Sequence, residues 1–277
     1  MKLVSTAKAF GGEQRVYRHA SKATGTEMEF AVFLPREALE GFFCPTLFYL
    51  SGLTCSWEEV TMQGLPQMHA AEHGLIFVAP DTSPRGDAVP DVESYDLGQA
   101  ASFYLNATQK PWSDHYRMED YLTAELPRLL IDALPVDEDA FGITGHSMGG
   151  HGALTLAMRH PTLFHSVSAF APITNPVLCS WGRQAFAAYL GDNEALWEAH
   201  DACALVASAG WEGGILIDQG LSDEYLEDQL KPWAFEKACR TSGIDLTMRL
   251  HGGYDHYYHF VASFMADHIK WHAERLE

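Results

Sequence analysis

Residues 141–160 read FGITGHSMGGHGALTLAMRH, and this stretch decides the predicted fold. An apolar run over 141–144 is followed by the pentapeptide GHSMG and then by a helical pattern over 150–160. The pentapeptide matches G-x-S-x-G, in which a serine stands on a sharp turn between a strand and a helix. Its glycines suit that turn because neither side leaves space for a Cβ atom. We therefore predict Ser147 as a candidate nucleophile, with a plain glycine-rich turn as the alternative.

Short apolar segments alternate with helical patterns on both sides of this motif. Runs rich in β-forming residues predict strands over 46–50, 75–79, 141–144, 167–171, 215–218 and 246–250. Apolar positions three or four apart predict helices over 118–134, 150–160, 232–242 and 258–276. The alternation predicts an α/β fold with a mostly parallel central sheet flanked by helices. Ahead of it, 15–19 and 27–34 predict antiparallel N-terminal strands at one edge.

The number of domains follows from the same alternation. The chain has 277 residues, which at about 150 residues per domain gives an expectation near two domains. No repeat, low-complexity tract or linker divides it, so we predict a single domain over residues 1–277. Segment 80–112 is the least regular and is longer than ordinary connections, so we expect it to shape a binding site.

Composition and charge narrow the function classes. The chain has 18 Lys and Arg against 37 Asp and Glu, a net charge of −19. This charge opposes binding to nucleic acid or anionic lipid, so neither is an expected partner. No apolar run of about 18 residues predicts a membrane span. The start lacks the apolar stretch of a secretory leader, and five cysteines lack a C-x-x-C pair, which favours a cytoplasmic location.

A serine nucleophile needs a carboxylate and a histidine, which follow it in that order in folds with this turn. Asp218 and Asp223 lie behind the strand that ends near residue 217. Asp223 is favoured because it lies in a loop that can reach the loop of a neighbouring strand, whereas Asp218 prolongs the strand. The residues alone leave Asp218 open.

Three histidines lie behind the last predicted strand: His251, His256 and His259. His256 is favoured as the base because it lies in a glycine-bearing loop that opens into the last helix. His251 ends the strand, and His259 falls inside the helical pattern. A surface or packing role is the ordinary alternative for any histidine.

Charge that develops on the acyl oxygen needs two backbone donors, one after the serine and one after the strand 46–50. These are predicted to be the N–H groups of Met148 and Leu53. Cys55 lies two residues beyond Leu53, so we hypothesise that a bulky group on its thiol blocks activity. The alternative is that Cys55 is a small buried filler.

A second motif, H-x-x-E-H over 69–73, matches a zinc-peptidase pattern, so a catalytic zinc site is an alternative for this segment. Catalytic zinc needs a third protein ligand, yet Gly74 ends the helix and a buried strand begins at once. We expect no metal site there and interpret the motif as a solvent-facing helix.

Several uninterrupted segments carry a family resemblance. They include FYLSGLTC at 48–55, APDTSPRG at 79–86, GHSMGGHGAL at 145–154, NPVLC at 175–179 and GYDH at 253–256. Through them the chain resembles the S-formylglutathione hydrolase (esterase D) family along nearly its whole length. The resemblance implies an α/β-hydrolase fold, a triad of Ser147, Asp223 and His256, and no cofactor. It further implies hydrolysis of S-formylglutathione to glutathione and formate, a step of formaldehyde detoxification, by a protein that is often a homodimer.

Other functions stay open beside this one. A general short-chain carboxylesterase or acyltransferase is the main alternative, because a triad fixes the reaction type and leaves the substrate to the loops. A protein that only binds would need a broken triad, and no member is missing.

The expected substrate is an anion, so the net charge of −19 hinders its arrival unless a local cationic surface compensates. Arg85 and Arg183 are candidates for that surface, with solvated arginine as the alternative for each. Trp181 is a candidate for the acyl pocket, with a core position as the alternative.

Overall fold

A computed structural model describes residues 1–276, and within them nine strands form one mixed sheet. The strands are β1 (Lys2–Ala9), β2 (Gly12–Ala20), β3 (Glu27–Leu34), β4 (Cys44–Leu50), β5 (Ile76–Pro80), β6 (Val136–Gly145), β7 (Phe164–Phe170), β8 (Ile215–Gly220) and β9 (Leu246–His251). Their spatial order is β1-β2-β3-β5-β4-β6-β7-β8-β9. The first three strands and β5 pair antiparallel, and the pairs from β5 to β9 are parallel. The predicted α/β fold is confirmed.

Helices cover the sheet. They are α1 (Arg36–Leu39), α2 (Trp57–Glu59), α3 (Pro66–Glu72), α4 (Met118–Asp120), α5 (Leu126–Ala133), α6 (Met148–Arg159), α7 (Ser180–Leu190), α8 (Ala202–Ser208), α9 (Pro232–Ser242) and α10 (Tyr258–Leu276). On one side α10 packs with α3, and on the other α6 packs with α8, which contacts α9. In the part of the chain described here, no helix combines the length and apolarity needed to cross a bilayer.

Central strands are apolar on both faces because helices cover both. All five residues of β5 are buried, and β4 is buried from Thr46 to its end. Continuous apolar runs of this kind mark strands with two covered faces, which is why such runs predicted these strands. Strand β1 was not predicted: it is exposed on both faces, so its sequence carries no core pattern, and its backbone pairing with β2 holds it.

The long segment after β5 is ordered by side chains from elsewhere. Tyr189 of α7 accepts from the Gly98 amide at 2.8 Å and donates to the Ala101 carbonyl at 2.9 Å. Ser83 accepts from the Ala100 amide at 2.8 Å. These bonds replace a regular ladder, and they hold the segment over the carboxyl ends of the parallel strands.

A buried ion pair joins β8 to β9. Asp218, whose side chain is fully buried, accepts from Arg249 Nε at 2.6 Å, and His268 Nε2 lies 3.3 Å away. Burial alone would raise the pKa of Asp218, but hydrogen bonds from His268 and Arg249 outweigh burial and hold the pKa well below its usual value. A depressed carboxyl pKa contributes stability that is present above the unfolded-state value and is lost as the pH falls toward the folded-state value.

We predict that Asp218→Asn lowers the free energy of unfolding by about 3 kcal/mol at pH 7, because Arg249 and His268 lose their buried anion. Urea denaturation followed by circular dichroism measures it. The deficit should shrink below about pH 4, where the wild type starts to lose the same ionic contribution.

Asp267→Asn is the matched control. Asp267 contacts the same guanidinium at 2.6 Å, but its side chain is 54% exposed, so a change below about 1 kcal/mol is expected. Equal losses in the two variants would contradict the assignment of the stability to the buried pair.

Candidate active site

Ser147 stands on a strained turn between β6 and α6. Its φ of 58° and ψ of −119° lie outside the regions that residues with a side chain prefer. A Cβ on Gly149 would lie 1.9 Å from the Leu50 carbonyl oxygen, and one on Gly145 would lie 2.3 Å from the Gly149 carbonyl oxygen. Both positions therefore need glycine, as the motif predicted, and the turn costs about 1–3 kcal/mol that the surrounding packing supplies.

His256 bridges Ser147 and Asp223. Its Nε2 lies 2.9 Å from Ser147 Oγ, and its Nδ1 lies 2.6 Å from Asp223 Oδ2. A carboxylate only accepts, so Nδ1 carries the proton and Nε2 is free to accept from the serine hydroxyl. This is the arrangement of a nucleophile, a base and an orienting acid.

Strand β8 and the loop after it fix the carboxylate of Asp223. The Tyr225 amide donates to Oδ1 at 2.8 Å, and Gln219 Nε2 donates to Oδ2 at 3.3 Å. The side chain is fully buried. Asp223 is therefore held in one orientation, which in turn fixes the imidazole of His256.

The other sequence candidates lie elsewhere. Asp218 is paired with Arg249, and His251 Nε2 lies 3.2 Å from Asp218 rather than near Ser147. His259 is exposed on α10. The structure thus brings together Ser147, Asp223 and His256 and leaves the alternatives outside.

Segment 51–55 lies against the serine. A Cβ on Gly52 would lie 3.2 Å from Ser147 Cβ, and Leu53 lines the same cavity as Ser147. The neighbouring amides are engaged, Thr54 with the Ala100 carbonyl at 3.1 Å and Cys55 with the Gly52 carbonyl at 3.3 Å. Met148 begins α6, where a backbone N–H has no partner within its own helix. The amides of Leu53 and Met148 therefore remain the candidate oxyanion donors.

A cavity of about 270 Å³ opens beside Ser147. Its aromatic lining residues are Tyr95, Trp181, Tyr225, Tyr257 and Tyr258. Trp181 was expected there, but the tyrosines were not. Tyr225 and Tyr257 follow Asp223 and His256 closely in sequence, so their positions next to the triad could have predicted them. Tyr95 belongs to the long segment 80–112, whose path the sequence does not predict.

His146 was also missed by sequence reasoning. Its buried ring lies 4.6 Å from the ring of His256, and neither of its nitrogens has a hydrogen-bond partner within residues 1–276. Burial and the neighbouring His256 lower its pKa well below the usual value, so its imidazole is neutral. A neutral ring there packs against the base without repelling its charged form.

Cys55 lines the cavity, as its position predicted. Burial, aided by the charge of Glu59, raises the pKa of its thiol to about 11. The group is therefore a neutral thiol near pH 7.

The two candidate arginines are not free at the cavity. Arg85 pairs with Asp81 at 2.8 Å, and Arg183 pairs with Glu194 at 2.6 Å. Neither lines the cavity beside Ser147. The cationic surface expected from them is therefore neutralised by adjacent carboxylates.

The H-x-x-E-H motif lies on and just after α3. His69 Nδ1 contacts Glu72 at 3.4 Å, and the Glu72 side chain is 60% exposed. Within residues 1–276 no group of three or more His, Cys, Asp or Glu side chains is arranged to hold a metal ion.

Comparison with known proteins identifies the family of this chain. The family model described as "Putative esterase" matches residues 21–271. The chain is 55% identical over 273 residues to S-formylglutathione hydrolase from Paracoccus denitrificans, covering 99% of this chain and 97% of that protein. It is 50% identical over 279 residues to the mouse S-formylglutathione hydrolase, covering 100% and 99%.

A solved structure extends this likeness to three dimensions. The S-formylglutathione hydrolase from Agrobacterium tumefaciens superposes with a TM-score of 0.98 at 47% identity, and the match covers both chains completely. These relatives confirm the resemblance predicted from the sequence. The chain therefore belongs to the S-formylglutathione hydrolase family of esterases.

Proposed function

We propose that this protein is a serine hydrolase that cleaves the thioester S-formylglutathione to glutathione and formate. The observation that carries the proposal is the hydrogen-bonded chain of Ser147, His256 and Asp223 beside a cavity of about 270 Å³. Relatives that carry this name match over nearly the full length. The hydrogen-bonded chain supports the reaction type, and the relatives support the substrate.

The first half of the proposed reaction forms an ester on the enzyme. His256 Nε2 accepts the proton of Ser147 as Oγ attacks the formyl carbon. The amides of Leu53 and Met148 stabilise the oxygen that becomes negative. The carbon–sulfur bond then breaks, and His256 returns the proton to the departing glutathione sulfur. The product on the enzyme is formyl-serine.

The second half repeats these steps with water. His256 removes a proton from water, the hydroxide attacks the formyl carbon, and the bond to Ser147 Oγ breaks. The proton returns to Oγ, and formic acid leaves and releases its proton to water, which gives formate. Asp223 stays ionised throughout and stabilises the charged imidazole.

The size of the cavity supports a small acyl group. Pockets that enclose drug-sized ligands measure about 300–1,000 Å³. A cavity of about 270 Å³ lies just below that range and has room for a formyl group with the adjoining part of the leaving group.

A general carboxylesterase acting on short-chain esters is the second candidate. The aromatic lining, with Trp181 and Tyr225 at 4.8 Å between ring centres, favours it because such surfaces accept aryl leaving groups. The ratio of kcat/KM for S-formylglutathione to that for an aryl acetate separates the two candidates.

The proposal includes the domain organisation, the oligomeric state and the location of the protein. We propose a single domain, because one sheet contains every strand found in residues 1–276. We propose a homodimer on the strength of the family resemblance. Five free thiols in the same residues support a reducing, cytoplasmic setting.

Ser147→Ala should lower kcat on S-formylglutathione by on the order of 10⁶-fold, because no nucleophile remains. Steady-state assays measure this loss, and an organophosphate reagent should label the wild type but not the variant. A variant that keeps wild-type turnover would contradict the assigned nucleophile.

Asp223→Asn should lower kcat by about 10⁴-fold, because the amide cannot hold His256 in the required tautomer. Asp218→Asn is the matched control: it lies in the same strand–loop segment but pairs with Arg249, so folded protein should keep most of its kcat. The reverse order of losses would assign the acid to Asp218.

Thiol modification of Cys55 should inactivate the enzyme slowly at pH 7 and faster as the pH rises, by about tenfold per unit, since the thiolate is the reactive form. Because the pKa of the thiol is about 11, the thiolate fraction is small at pH 7 and keeps rising with pH through pH 9. Rates of inactivation by N-ethylmaleimide between pH 7 and 9 measure it. Cys55→Ser should resist the reagent, whereas Cys203→Ser should stay as sensitive as the wild type. Equal sensitivity of the wild type and Cys55→Ser would contradict a blocking role.

A further inference from the structure

The turn that carries Leu53 holds a strained residue. The Cys55 amide donates to the Gly52 carbonyl at 3.3 Å, which closes a four-residue turn over 52–55. The third residue of that turn, Thr54, has a φ of 68°. Glycine is the usual residue there, and a β-branched side chain makes this conformation a true outlier. Such a residue persists only where its surroundings hold it.

Two contacts hold this turn from outside. The Thr54 amide donates to the Ala100 carbonyl at 3.1 Å. The Cys55 carbonyl accepts from Arg85 Nη2 at 2.9 Å and from Thr82 Oγ1 at 2.6 Å. The bonds to the Cys55 carbonyl fix the far end of the turn, which only two peptide units separate from the one that carries the Leu53 amide.

Arg85 is itself anchored at the end of β5. Its Nε and Nη2 each donate to the carboxylate of Asp81 at 2.8 Å. Asp81 directly follows β5, its amide donates to the Glu29 carbonyl at 3.2 Å, and its Oδ1 accepts from the Thr82 amide at 2.7 Å. The planar guanidinium therefore connects the carboxyl end of β5 to the Cys55 carbonyl.

We propose that Arg85 is a positioning residue for the oxyanion site: by bridging Asp81 and the Cys55 carbonyl it keeps the 52–55 turn in its strained form, with the Leu53 amide directed at the acyl oxygen. The inference rests on the proposed function. Without the bridge, Thr54 relaxes toward negative φ, and the peptide units before it move, including the one that carries the Leu53 amide.

This role differs from binding the anionic substrate. A substrate-binding cation would act through charge, so lysine would replace it and the loss would fall on KM. A positioning fork needs two planar donors, which lysine lacks. The loss then falls on kcat and is the same for charged and neutral substrates.

The test compares Arg85→Ala and Arg85→Lys with the wild type on S-formylglutathione and on a neutral aryl acetate. We expect kcat to fall by about 10- to 100-fold in both variants and on both substrates, with KM nearly unchanged. Affinity for a boronic acid that forms a tetrahedral adduct on Ser147 should fall by a similar factor. Free guanidinium at millimolar concentration should restore part of the kcat of Arg85→Ala. Arg183→Ala is the matched control, an exposed arginine away from the cavity, and should keep wild-type kinetics.

Several outcomes overturn the proposal. One is an unchanged kcat in Arg85→Ala, and another is a raised KM confined to the anionic thioester. Full activity of Arg85→Lys would also overturn it. If Arg85→Ala fails to fold, Arg85→Lys still decides the matter. A wild type that hydrolyses the aryl acetate but not S-formylglutathione would refute the proposed substrate while leaving the Arg85 comparison intact on the ester.

Discussion

The close approach of α6 to the end of β4 is the contact on which the site depends. Gly149 has no Cβ, and this lets its backbone lie against the Leu50 carbonyl, where a Cβ would come within 1.9 Å. Ser51 follows Leu50 directly, so the same approach brings the 52–55 turn beside Ser147. One steric constraint thus sets both the sharp turn of the nucleophile and the position of the amide proposed to face it.

The parallel sheet then gathers residues that are far apart in sequence. Ser147 follows β6, Asp223 follows β8 and His256 follows β9, and the carboxyl ends of parallel strands meet at one edge. His256 is 109 positions from Ser147 and 33 from Asp223, yet all three bond in a row. Strain at Ser147 and at Thr54 is carried by backbone contacts with neighbouring strands and loops, so the site draws its rigidity from the fold around it.

Sequence patterns predicted the parts of this arrangement that continuous apolar runs or the order of residues along the chain encode. The strands buried on both faces and the order serine, acid, histidine fall in that class. Asp218 stayed open beside Asp223 because its partner, Arg249, lies directly opposite it on β9, a register that no local pattern reveals. Strand β1 was not predicted, because both its faces are exposed and its sequence therefore carries no core pattern. Tyr95 and His146 contribute through contacts across the fold, which sequence spacing does not show.

The arginines show why composition alone misjudges a site. A net charge of −19 suggested that cations near the cavity would serve an anionic substrate. In an acid-rich chain, however, arginines pair with carboxylates of the protein itself. Arg85 pairs with Asp81, and Arg183 pairs with Glu194. The cavity is instead lined by tyrosine and tryptophan, with Glu59 among its walls. We therefore expect selection of a thioester by such a site to depend on shape, aromatic contact and the chemistry at Ser147 more than on charge, and the guanidinium of Arg85 to act on the backbone of the site itself, through the Cys55 carbonyl.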